Sequence, residues 1–175
     1  MKFLAISGST RARSTNTALL KACAAIIPPP DMIHIYSDLA NLPVFSPDLE
    51  GDKTPASVLA FCHLISKADG IIICSPEYVH GIPGGLKNAI DWLVSREEIA
   101  NKPIALLHAS HRGDDMLKAL SVVLKTVSEQ FNDTVFERFN VLDKPPEDIH
   151  AFMQEPENTA LLNDFIEAFR RHILA

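Results

Sequence analysis

Cysteine is scarce in this chain: Cys23, Cys62 and Cys74 are the only three, and none falls into a CxxC or zinc-like spacing. Their odd number argues against a disulfide framework and for a reducing compartment. Runs of Lys or Arg are missing and the net charge is −6, so no face for nucleic acid is expected. No apolar segment approaches the roughly 20 residues that span a bilayer. Met1–Ser7 is too short for the apolar core of a secretion signal. These absences predict a cytoplasmic chain with neither nucleic acid nor membrane as a partner. His34, His63 and His172 lack ligand-like spacing, and the acids form no paired-carboxylate motif, so no metal site is read. Repeats and low-complexity tracts are also lacking. What remains is a chain of 175 residues, 47% of them hydrophobic, which suits one domain over residues 1–175 with a full core.

Apolar strands alternate with amphipathic helices along it. Phe3–Ser7, Met32–Tyr36, Ile71–Cys74, Ile104–His108 and Thr134–Phe139 read as strands. Ser14–Ile27, Pro55–Lys67, Gly84–Ser95, Met116–Ser128 and Pro156–Leu174 read as helices, with Pro28-Pro29-Pro30 stopping the first and Asp69-Gly70 closing the second. Ser37–Thr54 reads as a long irregular segment, partner-facing or lid-like, whose Leu39, Leu42, Val44 and Phe45 a monomer would struggle to cover. Alternation of this kind predicts an α/β three-layer sandwich around a five-stranded parallel sheet of order 2-1-3-4-5. Ligands then bind at the reversal between strands 1 and 3, which brings together the loops after Ser7 and Cys74, with the loop after His108 beside them.

The two central loops carry the chemistry. The first, Ser7-Gly8-Ser9-Thr10-Arg11-Ala12-Arg13-Ser14-Thr15-Asn16-Thr17, is dense in hydroxyl, amide and guanidinium donors and leads into a helix N-terminus. Unpaired N–H groups and the positive end of the helix dipole make it a phosphate cradle, to which Arg11 adds a charge-assisted contact. A capped helix with Ser14 as N-cap is the plainer reading of the same residues. The GxxxxGK[ST] and GxGxxG spacings are absent, so it is neither a nucleotide P-loop nor a Rossmann pyrophosphate turn. The second loop follows Ile71-Ile72-Ile73 and holds Pro76, Pro83, Gly81, Gly84 and Gly85, a rigid backbone that a flat ligand can approach closely.

Gly8-Ser9-x-Arg11-x-x-Ser14-x-Asn16 resembles the phosphate loop of NAD(P)H-dependent FMN reductases. Ser75-Pro76-Glu77-Tyr78, followed by Gly81-x-Pro83-Gly84-x-Leu86-Lys87-Asn88-Ala89-Ile90-Asp91-Trp92, is similar to their flavin-ring loop. The resemblance implies a flavodoxin-like fold with non-covalent FMN. It also implies reduction of quinones, azo dyes, free flavins or metal oxyanions by NAD(P)H, in a two-electron ping-pong hydride transfer. Carried over residue by residue, it implies that Ser9, Arg11, Ser14, Thr15, Asn16 and Thr17 hold the phosphate. Pro76, Glu77, Tyr78, Val79, His80 and Gly81 would line the ring, and Ser110 would stand in the third loop. The small-molecule electron acceptor would be met in a homodimer or homotetramer.

The chain departs from the family pattern in two places. Val79-His80 stands where an Asn and a small polar residue are expected, which predicts a bulkier wall. The third loop, His108-Ala109-Ser110-His111-Arg112-Gly113-Asp114-Asp115, lacks the family's paired glycines. His111-Arg112 reads as a solvated pair or as an attractor of a nucleotide phosphate, Cys74 as a small core residue, and Trp92 as a core or subunit-packing residue. A flavodoxin-type one-electron carrier would share fold and cofactor but should be more acidic and richer in aromatics than 7%. A non-catalytic interaction protein with a vestigial pocket is the third class.

Overall fold

The computed structural model describes residues 1–175. In chain order its regular elements are β1 (Lys2–Ser7), α1 (Thr15–Ile26), β2 (Met32–Tyr36), α2 (Ala56–Lys67), β3 (Gly70–Cys74), α3 (Gly84–Asp91), α4 (Glu97–Ala100), β4 (Ile104–His108), α5 (Asp114–Val127), β5 (Phe131–Arg138), α6 (Ile149–Met153) and α7 (Pro156–Leu174). The strands form one parallel sheet in the order β2-β1-β3-β4-β5. The central strands β3 and β4 are buried along their whole length, as expected for strands covered on both faces.

Alternation along those strands divides the core. Leu4, Ile6, Ile71, Ile73, Ile104 and Leu106 face α2, α3 and α5, where Phe61, Ile65, Leu86, Ile90, Leu120 and Leu124 meet them. Phe3, Ala5, Ile72, Cys74, Ala105 and Leu107 face the other way, onto α1, α6 and α7. Successive strand side chains point to opposite faces, so one apolar run supplies both layers. Gly70 does not cap α2, as its place after Asp69 suggested. It opens β3, where a Cβ would lie 2.7 Å from Phe169 Cζ and 2.8 Å from Ile173 Cδ1, so its bareness admits α7 onto the sheet.

Several boundaries differ from expectation. Helix α3 ends at Asp91, because Leu93 N–H turns back to Ile90 C=O in a tighter turn. The short helices α4 and α6 carry too few residues for a periodic signal. Strand β5 begins at Phe131, before the expected Thr134, and its register against β4 shifts between Ile104 and Leu106. There Asn132 Oδ1 accepts from the N–H and hydroxyl of Thr134, so residues with turn character form a bulge inside a strand.

Ser37–Thr54 contains three single-turn 3-10 helices and lies against its own chain. Leu39 and Leu42 are buried, and Phe45 meets Trp92 edge-on at 5.1 Å; of the apolar residues expected to need a partner, Val44 alone stays open, at 82% exposure. Asn88 secures the segment, accepting from Phe45 N–H at 2.8 Å and donating to Pro43 C=O at 3.0 Å, while the buried Trp92 donates Nε1–H to the same carbonyl at 2.7 Å. Asn88→Ala leaves Phe45 N–H without its acceptor and should cost about 2–3 kcal/mol. A lowered urea midpoint at unchanged slope is the expected reading, and an unchanged midpoint would refute the anchoring role.

Candidate flavin site

Where β1 and β3 end, a cavity of about 300 Å³ opens between their loops and the loop after β4. This is the reversal point of the strand order, where neighbouring connections leave to opposite faces of the sheet. Gly8 keeps the two central loops together: its N–H donates to Cys74 C=O at 2.8 Å. A Cβ on Gly8 would sit 2.3 Å from Ser75 Oγ and 3.0 Å from Ser75 Cα, too close for any other residue.

The first wall is the β1–α1 loop. Ser14 caps α1, its Oγ accepting from Thr17 N–H at 3.2 Å, and Ser9 Oγ accepts from Arg11 N–H at 3.3 Å. The N–H groups of Thr15 and Asn16, in the first turn, find no acceptor in the chain. Asn16 also accepts from the Cys74 thiol at 3.2 Å, which ties α1 to β3. Burial holds that thiol well above the ordinary cysteine range, so Cys74 is a small core donor. The two arginines of this loop part company. Arg13 bonds Glu147 through Nη2 at 2.9 and 3.0 Å, whereas Arg11 lines the cavity with no carboxylate in reach.

The second wall is Ser75–Tyr78. The N–H of Glu77 has no acceptor, and its carboxylate takes the N–H of Met116 at 2.9 Å. Helix α5 needs that acceptor, because its N-cap is Gly113, at φ 102°, without a side chain to do the work. Beyond it, Tyr78 and Gly81 exchange two backbone hydrogen bonds at 3.1 and 3.0 Å around Val79 and His80, at φ 50° and 57°. This is a two-residue hairpin of the type that normally takes Asn-Gly.

The third wall comes from β4 and its loop. His108 is buried at the strand end and donates Nε2–H to Arg112 C=O; its Nδ1 has no partner. Desolvation is the main reason its imidazole sits below the ordinary histidine value, with Arg138 adding repulsion. Gly113 must be bare here, since a Cβ would lie 2.7 Å from His108 Nε2. Leu142, from the segment after β5, closes the rim.

Of the residues singled out in the sequence, Ser9, Arg11, Ser14, Thr15, Asn16, Pro76, Glu77, Tyr78 and Ser110 line this cavity. Thr17 is turned toward Ser7, hydroxyl to hydroxyl at 2.8 Å, and Gly81 serves the hairpin. The bulkier wall expected of Val79 and His80 is not there. Val79 is 97% exposed, and His80 reaches Asp115 at 2.8 Å, because the left-handed turn swings both side chains off the cavity. His108, Arg112, Gly113 and Leu142 join the lining without having been assigned to the site. The position of His108 and Arg112 at the carboxyl end of β4 was the available signal; Leu142, beyond an edge strand, offered none.

Residues 1–135 match the sequence family described as NADPH-dependent FMN reductase. The chain belongs to that family. FMN is the family's cofactor and NAD(P)H its co-substrate. A quinone reductase of Escherichia coli (strain K12) is 33% identical over 113 residues, covering 63% of this chain and 60% of the relative. An NAD(P)H-dependent FMN reductase of Pseudomonas aeruginosa is 37% identical over 112 residues, with coverages of 63% and 60%. The match thus spans less than two thirds of these relatives' own length. Among solved structures, the flavoenzyme NAD(P)H:(acceptor) oxidoreductase FerB from Paracoccus denitrificans superposes with a TM-score of 0.76 at 24% identity, over 98% of this chain and 96% of that one, which shows the shared flavodoxin-like fold.

The donor set fits the family's cofactor: a free arginine and two acceptor-less helix N–H groups suit one phosphate, and the cavity of about 300 Å³ opens beside them. Two measurements probe the surroundings. Val79 is β-branched in a left-handed conformation, so Val79→Asn should raise stability by about 1 kcal/mol, read as a higher unfolding midpoint; a fall would mean the turn does not need relief. Burial lowers the pKa of His108 in the fold, whereas the unfolded chain gains its proton near pH 6.5. Its contribution is therefore complete above that pH and is lost as pH falls below it. His108→Gln should flatten the stability profile between about pH 7 and 5; parallel profiles would refute the assignment.

Proposed function

We propose that this chain is an NAD(P)H-dependent FMN oxidoreductase that reduces quinones or similar small acceptors, azo compounds and free flavin among them, by two-electron ping-pong hydride transfer. The observation that carries this reading is the uncommitted Arg11 beside the acceptor-less N–H groups of Thr15 and Asn16, at the head of a cavity walled by Pro76–Tyr78. Arg11 and those N–H groups would hold the phosphate, with the Ser9 and Ser14 hydroxyls completing the cradle. Glu77 would present its N–H to the polar edge of the ring, where a fixed donor favours developing negative charge. Tyr78, 43% exposed, would shield one margin of the ring from water. Bound FMN supplies the hydride-accepting and hydride-donating chemistry, and the residues bind, orient and polarise.

The names of the relatives support this assignment, one being a quinone reductase and another an NAD(P)H-dependent FMN reductase. A homodimer or homotetramer belongs to the same reading, with the exposed Val44 and Val94 as apolar surface for it; a species of 19.3 kDa in light scattering at micromolar protein would rule assembly out. No helix is long and apolar enough to cross a membrane.

Fluorescence titration with FMN is the direct test. Arg11→Ala should weaken binding by roughly 1.5–3 kcal/mol, the worth of a charged hydrogen bond. Unchanged affinity would remove Arg11 from the site, and no FMN binding by the unaltered chain would remove the function. Steady-state lines with NADPH and a quinone should run parallel; intersecting lines would contradict the substituted-enzyme scheme.

A further inference from the structure

Arg112 is held in a way that exposed arginines seldom are. Its C=O accepts from His108 Nε2–H, and its own N–H donates to Ser110 Oγ at 3.0 Å, so its backbone is fixed on both sides. Its Nε–H donates to His111 Nε2 at 3.3 Å, while His111 Nδ1–H donates to Asn140 Oδ1 at 3.1 Å. The relay orients the guanidinium without neutralising it, because neither an imidazole nor an amide carries a negative charge. No carboxylate lies in ion-pair range of Arg112, since the acids around it are committed elsewhere: Asp114 to Arg138 at 2.6 Å, Asp115 to His80 at 2.8 Å, and Glu77 to Met116 N–H. Both Nη groups are free, and the residue lines the cavity.

We propose that Arg112, positioned by the His111–Asn140 relay, binds a phosphate group of the reducing dinucleotide at the rim of the cavity. The proposal rests on the reductase reading, which brings an anionic co-substrate to this rim. A guanidinium fixed at Nε presents its outer edge to a phosphate in a two-point contact, and fixing it in advance removes much of the entropy lost on binding. Arg11 stands at the opposite loop, in the cradle assigned to the FMN phosphate, so the two free arginines would serve different phosphates. His111 is a positioning residue here, and Asn140 supports it.

Calorimetric titration of the purified protein with NADP⁺ and with NAD⁺, neither of which can reduce it, reads the contact without turnover. Arg112→Ala should weaken NADP⁺ binding about 10-fold, and Arg112→Lys should restore only part of it, since a point charge lacks the fork. His111→Ala should weaken it by a smaller factor. Loss confined to NADP⁺ assigns the contact to the 2′-phosphate; equal loss for NAD⁺ assigns it to the pyrophosphate. Unchanged affinity for both in Arg112→Ala overturns the proposal, as does a parallel fall in FMN affinity, which would place Arg112 on the flavin phosphate. Failure of the unaltered chain to bind FMN would sink the flavin reading alone, because dinucleotide binding is scored separately.

Discussion

The backbone of Gly8 passes Ser75 with no room for a side chain, and the architecture of the site follows from that crossing. The N–H of Gly8 continues the β1–β3 ladder one residue past the strands, onto Cys74 C=O at 2.8 Å. From there the chain enters α1 on one face of the sheet, while the chain leaving Cys74 travels toward α3 on the other. A Cβ at Gly8 would have to displace backbone, since Ser75 Cα would be 3.0 Å away. Separating the loops instead would break the Cys74–Asn16 hydrogen bond and pull the first turn of α1 from β3. Donors at the head of the cavity and a flat wall beside them are therefore consequences of a single close approach.

Around that crossing the third loop is assembled by mutual support. Gly113 lies against His108, and its left-handed backbone leaves α5 without a capping side chain. The missing acceptor arrives from the second loop as the carboxylate of Glu77. Asp115, in the first turn of the same helix, then holds His80 and with it the hairpin Tyr78–Gly81. Two contacts from the second loop to the first turn of α5 thus order loop, hairpin and helix, and Glu77, picked for the ligand wall, has its side chain employed in folding. A left-handed Val79 is strained, and its retention at the cavity margin follows from the hairpin being fixed at Tyr78, Gly81 and Asp115.

What could be read beforehand followed local rules. The Ile71–Ile73 run, the donor-rich loop after Ser7 and the alternation of apolar segments all depend on neighbours in sequence, and they led to the sheet order and the switch point. What could not be read depends on distant partners. Arg11 and Arg13 are alike in sequence, and only the approach of Glu147 separates the ion-paired arginine from the free one. Gly70 seemed a helix terminator because its true reason, Phe169 of α7, lies far along the chain. Leu39, Leu42 and Phe45 read as uncovered surface because Trp92 and the Asn88 amide that hold their segment are tertiary neighbours. The hairpin was missed because its signal is Asn-Gly, and Val-His satisfies that turn against its own propensity.

Net charge describes this site poorly. The chain carries −6, yet its central cavity has two unpaired guanidiniums, free helix N–H groups and one lining carboxylate, already bonded. At physiological ionic strength an exposed charge is felt over about 8 Å, so what an arriving anion meets is the local set of groups. Two nearby acids are offset by guanidiniums outside the cavity, Asp114 by Arg138 and Glu147 by Arg13. The Arg138 guanidinium holds Asp114 below the ordinary carboxylate range, so this acid stays ionised and paired as pH falls moderately. Pairing acids outside the cavity is what leaves arginines free within it. A chain of net negative charge can therefore still present a locally positive cleft to a small anionic ligand.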